Sequence, residues 1–214
     1  MTTTDSSTPC WRSAPLRRLL DRGLARAFAF LVALCLCSAA AADTAEIALL
    51  RVERTEDGVM LSATVNFDLP AVIDDALTKG IPMYFVAEAT LLRDRWYWYD
   101  KPVATTARHM RLSYQPLTRR WRLVSSPTPV GSSGLALGQT FDSRDEALAA
   151  IQRISHWKIG DAADIDPDAR YNVDFRFRLD VSQLPRPFQI GAVGHSDWSI
   201  NAARNVRLVL DIPK

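Results

Sequence analysis

Cysteine is scarce in this 214-residue chain and is confined to its beginning. The three cysteines are Cys10, Cys35 and Cys37, and none follows them. Beyond that point the sequence excludes disulfides, thiolate nucleophiles and Cys-ligated metals together. A folded domain in this part of the chain must therefore be stabilised by its hydrophobic core.

The first 42 residues have the layout of a secretory signal peptide. Five arginines between Arg12 and Arg26 precede an apolar run from Ala27 to Cys37, and small residues ending at Ala42 follow it. The run has about 11 residues, which is short of the roughly 20 that a membrane-spanning helix needs. We expect cleavage after Ala42, export to the periplasm and no stable membrane insertion afterwards. The alternative is an uncleaved signal anchor that tethers the protein to the inner membrane.

A basic excess is also missing once this leader is set aside. The formal net charge of +2 falls to −1, because residues 1–42 carry five arginines and two aspartates. A nearly neutral chain has no electrostatic footprint for nucleic acid, so we exclude a nucleic-acid partner. Residues 43–214 are enough for a single β-rich domain with its own core.

Catalytic and metal-binding patterns are sparse in residues 43–214. His109, His156 and His195 are too far apart in sequence to form a helical zinc pair. The motif HSDW at 195–198 places histidine, serine and aspartate in one loop, whereas a catalytic triad is assembled from distant segments. We therefore expect no catalytic residue, no metal and no cofactor. The aspartates of residues 161–168 lack the glycine and the terminal glutamate of a calcium loop.

Alternating apolar residues predict a mainly β fold. Residues 59–67 are apolar at every second position, and residues 171–181 alternate in the same way without a break, which indicates strands with one buried face. The strand that starts at Ile81 is apolar at nearly every position and should be covered on both sides. We predict roughly nine strands in all, the last over residues 206–212.

Two short helices are expected among these strands. Pro70 and Gly80 bracket a helix over about residues 71–79, and a capping box that starts at Ser143 predicts a helix over about residues 143–156. Strands that are mostly connected by hairpins favour an antiparallel β-sandwich or a curved sheet. The two helices would then cap it.

The densest aromatic stretch is RDRWYWYDKP, residues 93–102. In an extended backbone Trp96 and Trp98 point to one side, and Tyr97 and Tyr99 point to the other. Two interpretations remain open. The commoner arrangement is a strand with one face in the core, and the alternative is an exposed platform that binds an envelope protein or a glycan. All four aromatic residues are therefore candidates for a binding site.

A second candidate surface lies on a hairpin whose register can be predicted. A turn at residues 115–118 would pair Leu112 with Trp121 and would place Arg111 directly opposite Arg122. Like charges at such positions repel, so the face either contains a carboxylate from a neighbouring strand or is open to water or an anion. A solvated face is the commoner explanation. If the face binds a partner, the candidates are His109, Arg111, Arg120 and Arg122.

Five sequence blocks occur in the order FDLP (67–70), GIPMYF (80–85), RWYWYD (95–100), RLSYQPLTRRWRL (111–123) and FRLDVSQLPRPFQ (177–189). Together they resemble the exported proteobacterial family catalogued as domain of unknown function 4390. The activity of that family is undetermined, so the resemblance implies an exported single domain without a cofactor and assigns no catalytic residue. Its members often neighbour a membrane sensor kinase gene, which implies a link to envelope signalling. After Trp198 the chain departs from the aromatic-rich ending of the family.

Three functional hypotheses are compatible with the sequence. The first is a non-enzymatic binding module of the periplasm or envelope, and the third is a purely structural envelope protein. The second is a hydrolase that acts on an envelope polymer through two carboxyl groups about 5 to 10 Å apart in a cleft. Candidates for such a pair are Asp94, Asp100, Asp174 and Asp180.

Overall fold

Nine strands among the described residues form two antiparallel sheets. In chain order they are β1 (Ala45–Thr55), β2 (Gly58–Phe67), β3 (Met83–Arg93), β4 (Lys101–Gln115), β5 (Arg120–Ser126), β6 (Gly138–Phe141), β7 (Arg153–Asp161), β8 (Tyr171–Leu179) and β9 (Asn201–Leu208). The smaller sheet has the strand order β1–β2–β7, and the larger has the order β6–β5–β4–β3–β8–β9. The predicted mainly β, sandwich-like fold is confirmed.

The computed structural model describes six segments of the chain. Residues 1–42, for which the sequence predicts a signal peptide, lie outside them, as do Trp96, Trp98 and His195. Within the six segments no helix is both long enough and apolar enough to cross a membrane. The segments are residues 45–95, 97, 99–129, 138–166, 168–192 and 198–208.

Three helices connect the strands in the described part of the chain. They are α1 (Ala71–Thr78), α2 (Arg144–Gln152) and α3 (Arg186–Ala192). As predicted, α1 buries Ile73, Ala76 and Leu77, and Gly80 follows it with a φ of +84°. The third helix was not among the two that the sequence predicts, because the prolines of its segment read only as the end of a strand.

The second helix begins as predicted but ends early. The Ser143 hydroxyl caps α2 by accepting a hydrogen bond from the Glu146 N–H at 3.2 Å. However, the helix ends at Gln152 instead of near residue 156, and the chain continues directly into β7. The predicted range of 143–156 is therefore wrong in its last turn.

A β-bulge explains why the start of β7 resembles a helix. Ile154 and Trp157 are both buried, although residues three apart in a regular strand point to opposite faces. On β2, Leu61 pairs with Trp157 and Ala63 pairs with Ile154, so one extra residue is accommodated in β7. His156 takes a φ of +45° at this bulge. Because of the bulge, the Trp157 side chain points toward the core as the Ile154 side chain does. Two buried residues three positions apart then have the spacing that is typical of a helix.

The core between the two sheets contains a cluster of three phenylalanine rings. Phe67 comes from the smaller sheet, whereas Phe85 and Phe177 come from the larger one, and the ring centroids lie 5.4 to 5.9 Å apart. All three are buried. Every second residue of β8 is buried from Tyr171 to Leu179, which confirms the predicted half-exposed strand. The cluster therefore joins the sheets face to face.

The β4–β5 hairpin is shifted from its predicted register. Gln115 pairs with Arg120, so that the turn comprises residues 116–119 rather than 115–118. Pro116 opens this turn, where its fixed φ is favourable, and Arg119 closes it with a φ of +55°. The proline therefore determines where the turn begins. The predicted register is wrong because the turn starts one residue later than predicted.

This shift separates the two arginines that the predicted register places opposite each other. Arg111 pairs with Val124, and Arg122 pairs with Ser113. The pairing changes by two residues, so each arginine keeps its predicted face because side chains alternate with a period of two. Arg111 and Arg122 are diagonal neighbours instead of direct partners.

The last strand begins earlier than predicted. β9 starts at Asn201 and pairs with β8, whereas the apolar run places it over residues 206–212, of which 209–212 lie outside the described residues. Only Ala202 and Leu208 are buried in β9. Backbone hydrogen bonds to β8 hold this strand, so apolar alternation in the sequence reveals little of it.

Asp180 follows β8 and caps the 3-10 turn Val181–Gln183. Its carboxylate accepts hydrogen bonds from the N–H and the hydroxyl of Ser182 and from the Gln183 side chain, at 2.6 to 3.1 Å. Burial acts to raise the pKa of Asp180, but these hydrogen bonds and the nearby Arg178 guanidinium outweigh it and hold the pKa below its ordinary value. The ionised carboxylate therefore stabilises the folded state.

Replacing Asp180→Asn should lower the free energy of unfolding by about 1 kcal/mol near neutral pH. The carboxylate's contribution is complete above its ordinary pKa of about 3.9 and is lost as the pH falls through the lower pKa of the folded state. Urea unfolding of both proteins at neutral pH and at about pH 2.5 measures the difference, which should shrink in acid. An equal difference at the two pH values would contradict this role for the charge.

Candidate functional site

The aromatic stretch lies in the loop between β3 and β4, residues 94–100, which we call the tyrosine loop. Its described residues have turn or irregular backbone. Tyr97 is 68% exposed and Tyr99 is 88% exposed, so for these two residues the interpretation as a core strand is wrong. Trp96 and Trp98 lie outside the described residues.

Two contacts fix the base of the tyrosine loop to the acidic loop, the segment with Asp164, Asp166 and Asp168 that precedes β8. The Arg93 guanidinium binds the Asp166 carboxylate at 2.8 Å, and the Asp94 N–H donates a hydrogen bond to the Arg170 carbonyl oxygen at 2.9 Å. The acidic loop is itself held to β8, because the Asp166 N–H donates to the Tyr171 hydroxyl at 2.8 Å. The exposed tyrosines therefore stand on a fixed base.

The arginine face comprises His109, Arg111 and Arg122 on the side of the larger sheet opposite the core. It points away from the core because its residues alternate with buried ones. Met110 and Leu112 alternate with His109 and Arg111 on β4, and Trp121 and Leu123 flank Arg122 on β5. The Nδ1 atom of His109 is buried and makes no hydrogen bond within the described part of the chain.

Neighbouring residues shape the arginine face at both sides. An added Cβ on Gly138 of β6 would lie 2.9 Å from Nε of Arg122, so the glycine leaves the space that this side chain occupies. On the other side of the face, the Glu88 carboxylate on β3 forms a salt bridge with the Arg178 guanidinium on β8 at 2.9 Å. Arg120, the fourth predicted residue, binds Asp142 at 3.3 Å at the exposed turn end of the hairpin.

The four aspartates considered for hydrolysis are distributed over three regions: the tyrosine loop, the strand β8 and the turn after it. Asp94 and Asp100 belong to the tyrosine loop, and Asp174 binds Arg176 at 2.8 Å. Asp180 caps the turn after β8. No group of three or more potential metal ligands occurs among the described residues.

The structure contains a cleft between the two sheets that the sequence did not predict. This inter-sheet cleft has a volume of about 520 Å³ and lies where β4, β5 and β6 face α2 and β7. Apolar side chains and two arginines line it together, with hydroxyl and amide groups between them. The residues that define its chemistry are Arg108, Arg153, Met110, Leu123, Ser125 and Ala149.

Arg108 reaches the inter-sheet cleft from the core side of β4. Its guanidinium carbon lies 5.2 Å from the centroid of the Trp157 ring, which is a favourable cation–π distance. Burial lowers the pKa of Arg108, yet the group stays cationic because an arginine is not deprotonated in proteins.

One signal in the sequence could have revealed this site. Arg108, Met110 and Leu112 are two residues apart along one strand, so their side chains point to the same face. The hairpin pattern therefore places a charge on the apolar face. Arg153 could not be paired with it, because the sequence pattern assigns that residue to the helix of 143–156.

A family model described as "Domain of unknown function (DUF4390)" matches residues 42–207. The chain belongs to the DUF4390 family. The matched region of this DUF4390 protein contains the tyrosine loop, the arginine face and the inter-sheet cleft, and the match confirms the family resemblance of the five sequence blocks. No curated protein and no solved structure matches the chain.

Proposed function

We propose that this DUF4390 protein is an exported binding module of the cell envelope that contacts a partner protein through the tyrosine loop. The observation that carries the proposal is the exposure of Tyr97 and Tyr99 on a loop whose base is held by Arg93 and Asp166. Tyrosine offers a large amphipathic contact area and loses little conformational entropy on binding. A fixed base reduces the ordering cost further.

The residues around the tyrosines favour a protein as the partner. Arg95, Asp100 and Lys101 are exposed and of mixed sign. An aromatic centre inside a charged rim has the composition of a protein contact, in which the centre supplies most of the affinity and the rim supplies orientation. Export is supported by the signal-peptide layout of residues 1–42.

The double variant Tyr97→Ser/Tyr99→Ser should lose its partner. Removal of aromatic anchors costs about 2 kcal/mol or more in a protein interface, so capture from an envelope extract should fall at least about tenfold. Quantitative mass spectrometry of material captured on the wild-type and variant proteins measures this loss. Thermal unfolding of the variant should match the wild type, because the substituted side chains are exposed.

Leu117→Ser is the matched control. Leu117 is 101% exposed and lies in the turn at the other end of β4, up to about 45 Å away along the strand. Its loss should leave capture unchanged. Undiminished capture by the tyrosine variant, or an equal decrease in the control, would contradict the proposal, and captured material that is glycan instead of protein would contradict the partner class.

A further inference from the structure

We propose that the inter-sheet cleft binds a small amphipathic anion, namely a carboxylate or phosphate monoester on a short alkyl chain. Among the described residues the tyrosine loop and the cleft share none, so this site goes beyond the proposed protein contact. Arg108 and Arg153 would hold the anionic group, and Met110 and Leu123 would contact the chain.

The charge in the cleft favours an anion. Two arginines line it, and no aspartate or glutamate of the described residues does. Neither Arg108 nor Arg153 forms an ion pair with a carboxylate of the described residues. Guanidinium groups bind carboxylates and phosphates through two parallel hydrogen bonds, which makes arginine well suited to such a ligand.

The end of α2 opposes this charge only weakly. Ala149 and Ala150 bring the last turn of the helix to the cleft, and a helix carboxyl end carries about half a negative charge. The Arg153 N–H donates to the Ala149 carbonyl oxygen, so one of the exposed carbonyls is already satisfied. Two full positive charges therefore outweigh the helix end.

The cleft also offers apolar surface for an alkyl chain. Met110 and Leu123 line the cleft, and its volume of about 520 Å³ falls within the range of small-molecule sites. Each methylene that enters the cleft should strengthen binding about three- to fourfold. The Ser125 hydroxyl adds a hydrogen-bonding group for the head of the ligand.

Titration of the whole exported protein with four probes tests the site: hexyl phosphate, hexanoate, 1-hexanol and inorganic phosphate. Arginine Nε–H signals in NMR spectra should shift for Arg108 and Arg153 with both amphipathic anions. The neutral alcohol and inorganic phosphate should each bind at least about tenfold more weakly, because each lacks one of the two interactions. The tighter of the two anions identifies the head group.

Two variants and one control separate binding from folding. Arg153→Gln should weaken hexyl phosphate binding at least about tenfold, whereas Arg176→Gln on the opposite face of the larger sheet should not. Ala149→Leu fills the cleft from an exposed helix position, and leucine has nearly the helix propensity of alanine. This variant should keep its thermal stability and lose the ligand.

Several outcomes would overturn the proposed site. One is that neither hexyl phosphate nor hexanoate shifts the Nε–H signals of Arg108 and Arg153. Another is that 1-hexanol binds as tightly as hexyl phosphate. The third is that Arg153→Gln and Ala149→Leu both bind hexyl phosphate like the wild type. The Tyr97→Ser/Tyr99→Ser variant should bind hexyl phosphate like the wild type. A failure of the cleft site and a failure of the tyrosine loop are thereby distinguished.

Discussion

Replacing Phe177→Ala should lower the free energy of unfolding by about 3 to 5 kcal/mol. The ring is 0% exposed, and its centroid lies 5.4 Å from that of Phe67 and 5.9 Å from that of Phe85. These neighbours are fixed on strands of two different sheets, so they cannot close the cavity without moving the sheets. The truncation therefore removes both buried area and the contact between the sheets.

Urea unfolding followed by circular dichroism measures this loss. A domain of this size is stabilised by only about 5 to 15 kcal/mol, so the variant should lose much of its stability margin. Arg176→Ala is the control, because Arg176 is the preceding residue on the exposed face of β8 and should change stability by no more than about 0.5 kcal/mol. A loss below about 1.5 kcal/mol for Phe177→Ala would indicate a loosely packed cluster.

Regular alternation made β2 and β8 predictable from sequence. The pattern over residues 59–67 corresponds to β2, which starts at Gly58, and the pattern over residues 171–181 corresponds to β8, which ends at Leu179. Such strands have one buried and one exposed face, so apolar and polar residues alternate along their sequence. The mainly β fold follows from the same local information.

The elements whose bounds the sequence misplaced depend on non-local structure. The bulge at His156 breaks the two-residue period, so the start of β7 resembles the end of a helix. β9 is held by pairing with β8 and has few buried side chains. In both cases the neighbouring strand supplies information that the segment itself lacks.

The candidate surfaces were predictable to different degrees. Composition alone identified Tyr97 and Tyr99, but their exposure depends on where β3 ends and β4 begins. The inter-sheet cleft is lined by Arg108 from one sheet and Arg153 from the other. No spacing rule connects these arginines, because the approach of β7 to β4 is a property of the packed sandwich.

Gly58→Ala should lower the free energy of unfolding by about 3 to 4 kcal/mol. Gly58 closes the β1–β2 hairpin with a φ of +137°, where an L side chain is strained. An added Cβ would also overlap the carbonyl oxygen of Gly160 in β7. Because that oxygen belongs to the backbone, no side-chain rotation relieves the overlap, and the end of β7 must move away from β2.

Gly80→Ala separates the two causes of this loss. Gly80 has a φ of +84°, but an added Cβ there meets its nearest atom, in Pro116, only at 3.9 Å. That variant should therefore lose about 1 to 2 kcal/mol from backbone strain alone. Urea unfolding of both variants, with amide hydrogen exchange of residues 158–161, measures the difference. Equal losses and unchanged exchange in β7 would show that the overlap with Gly160 contributes nothing, whereas a larger loss with faster exchange identifies it as the dominant cause.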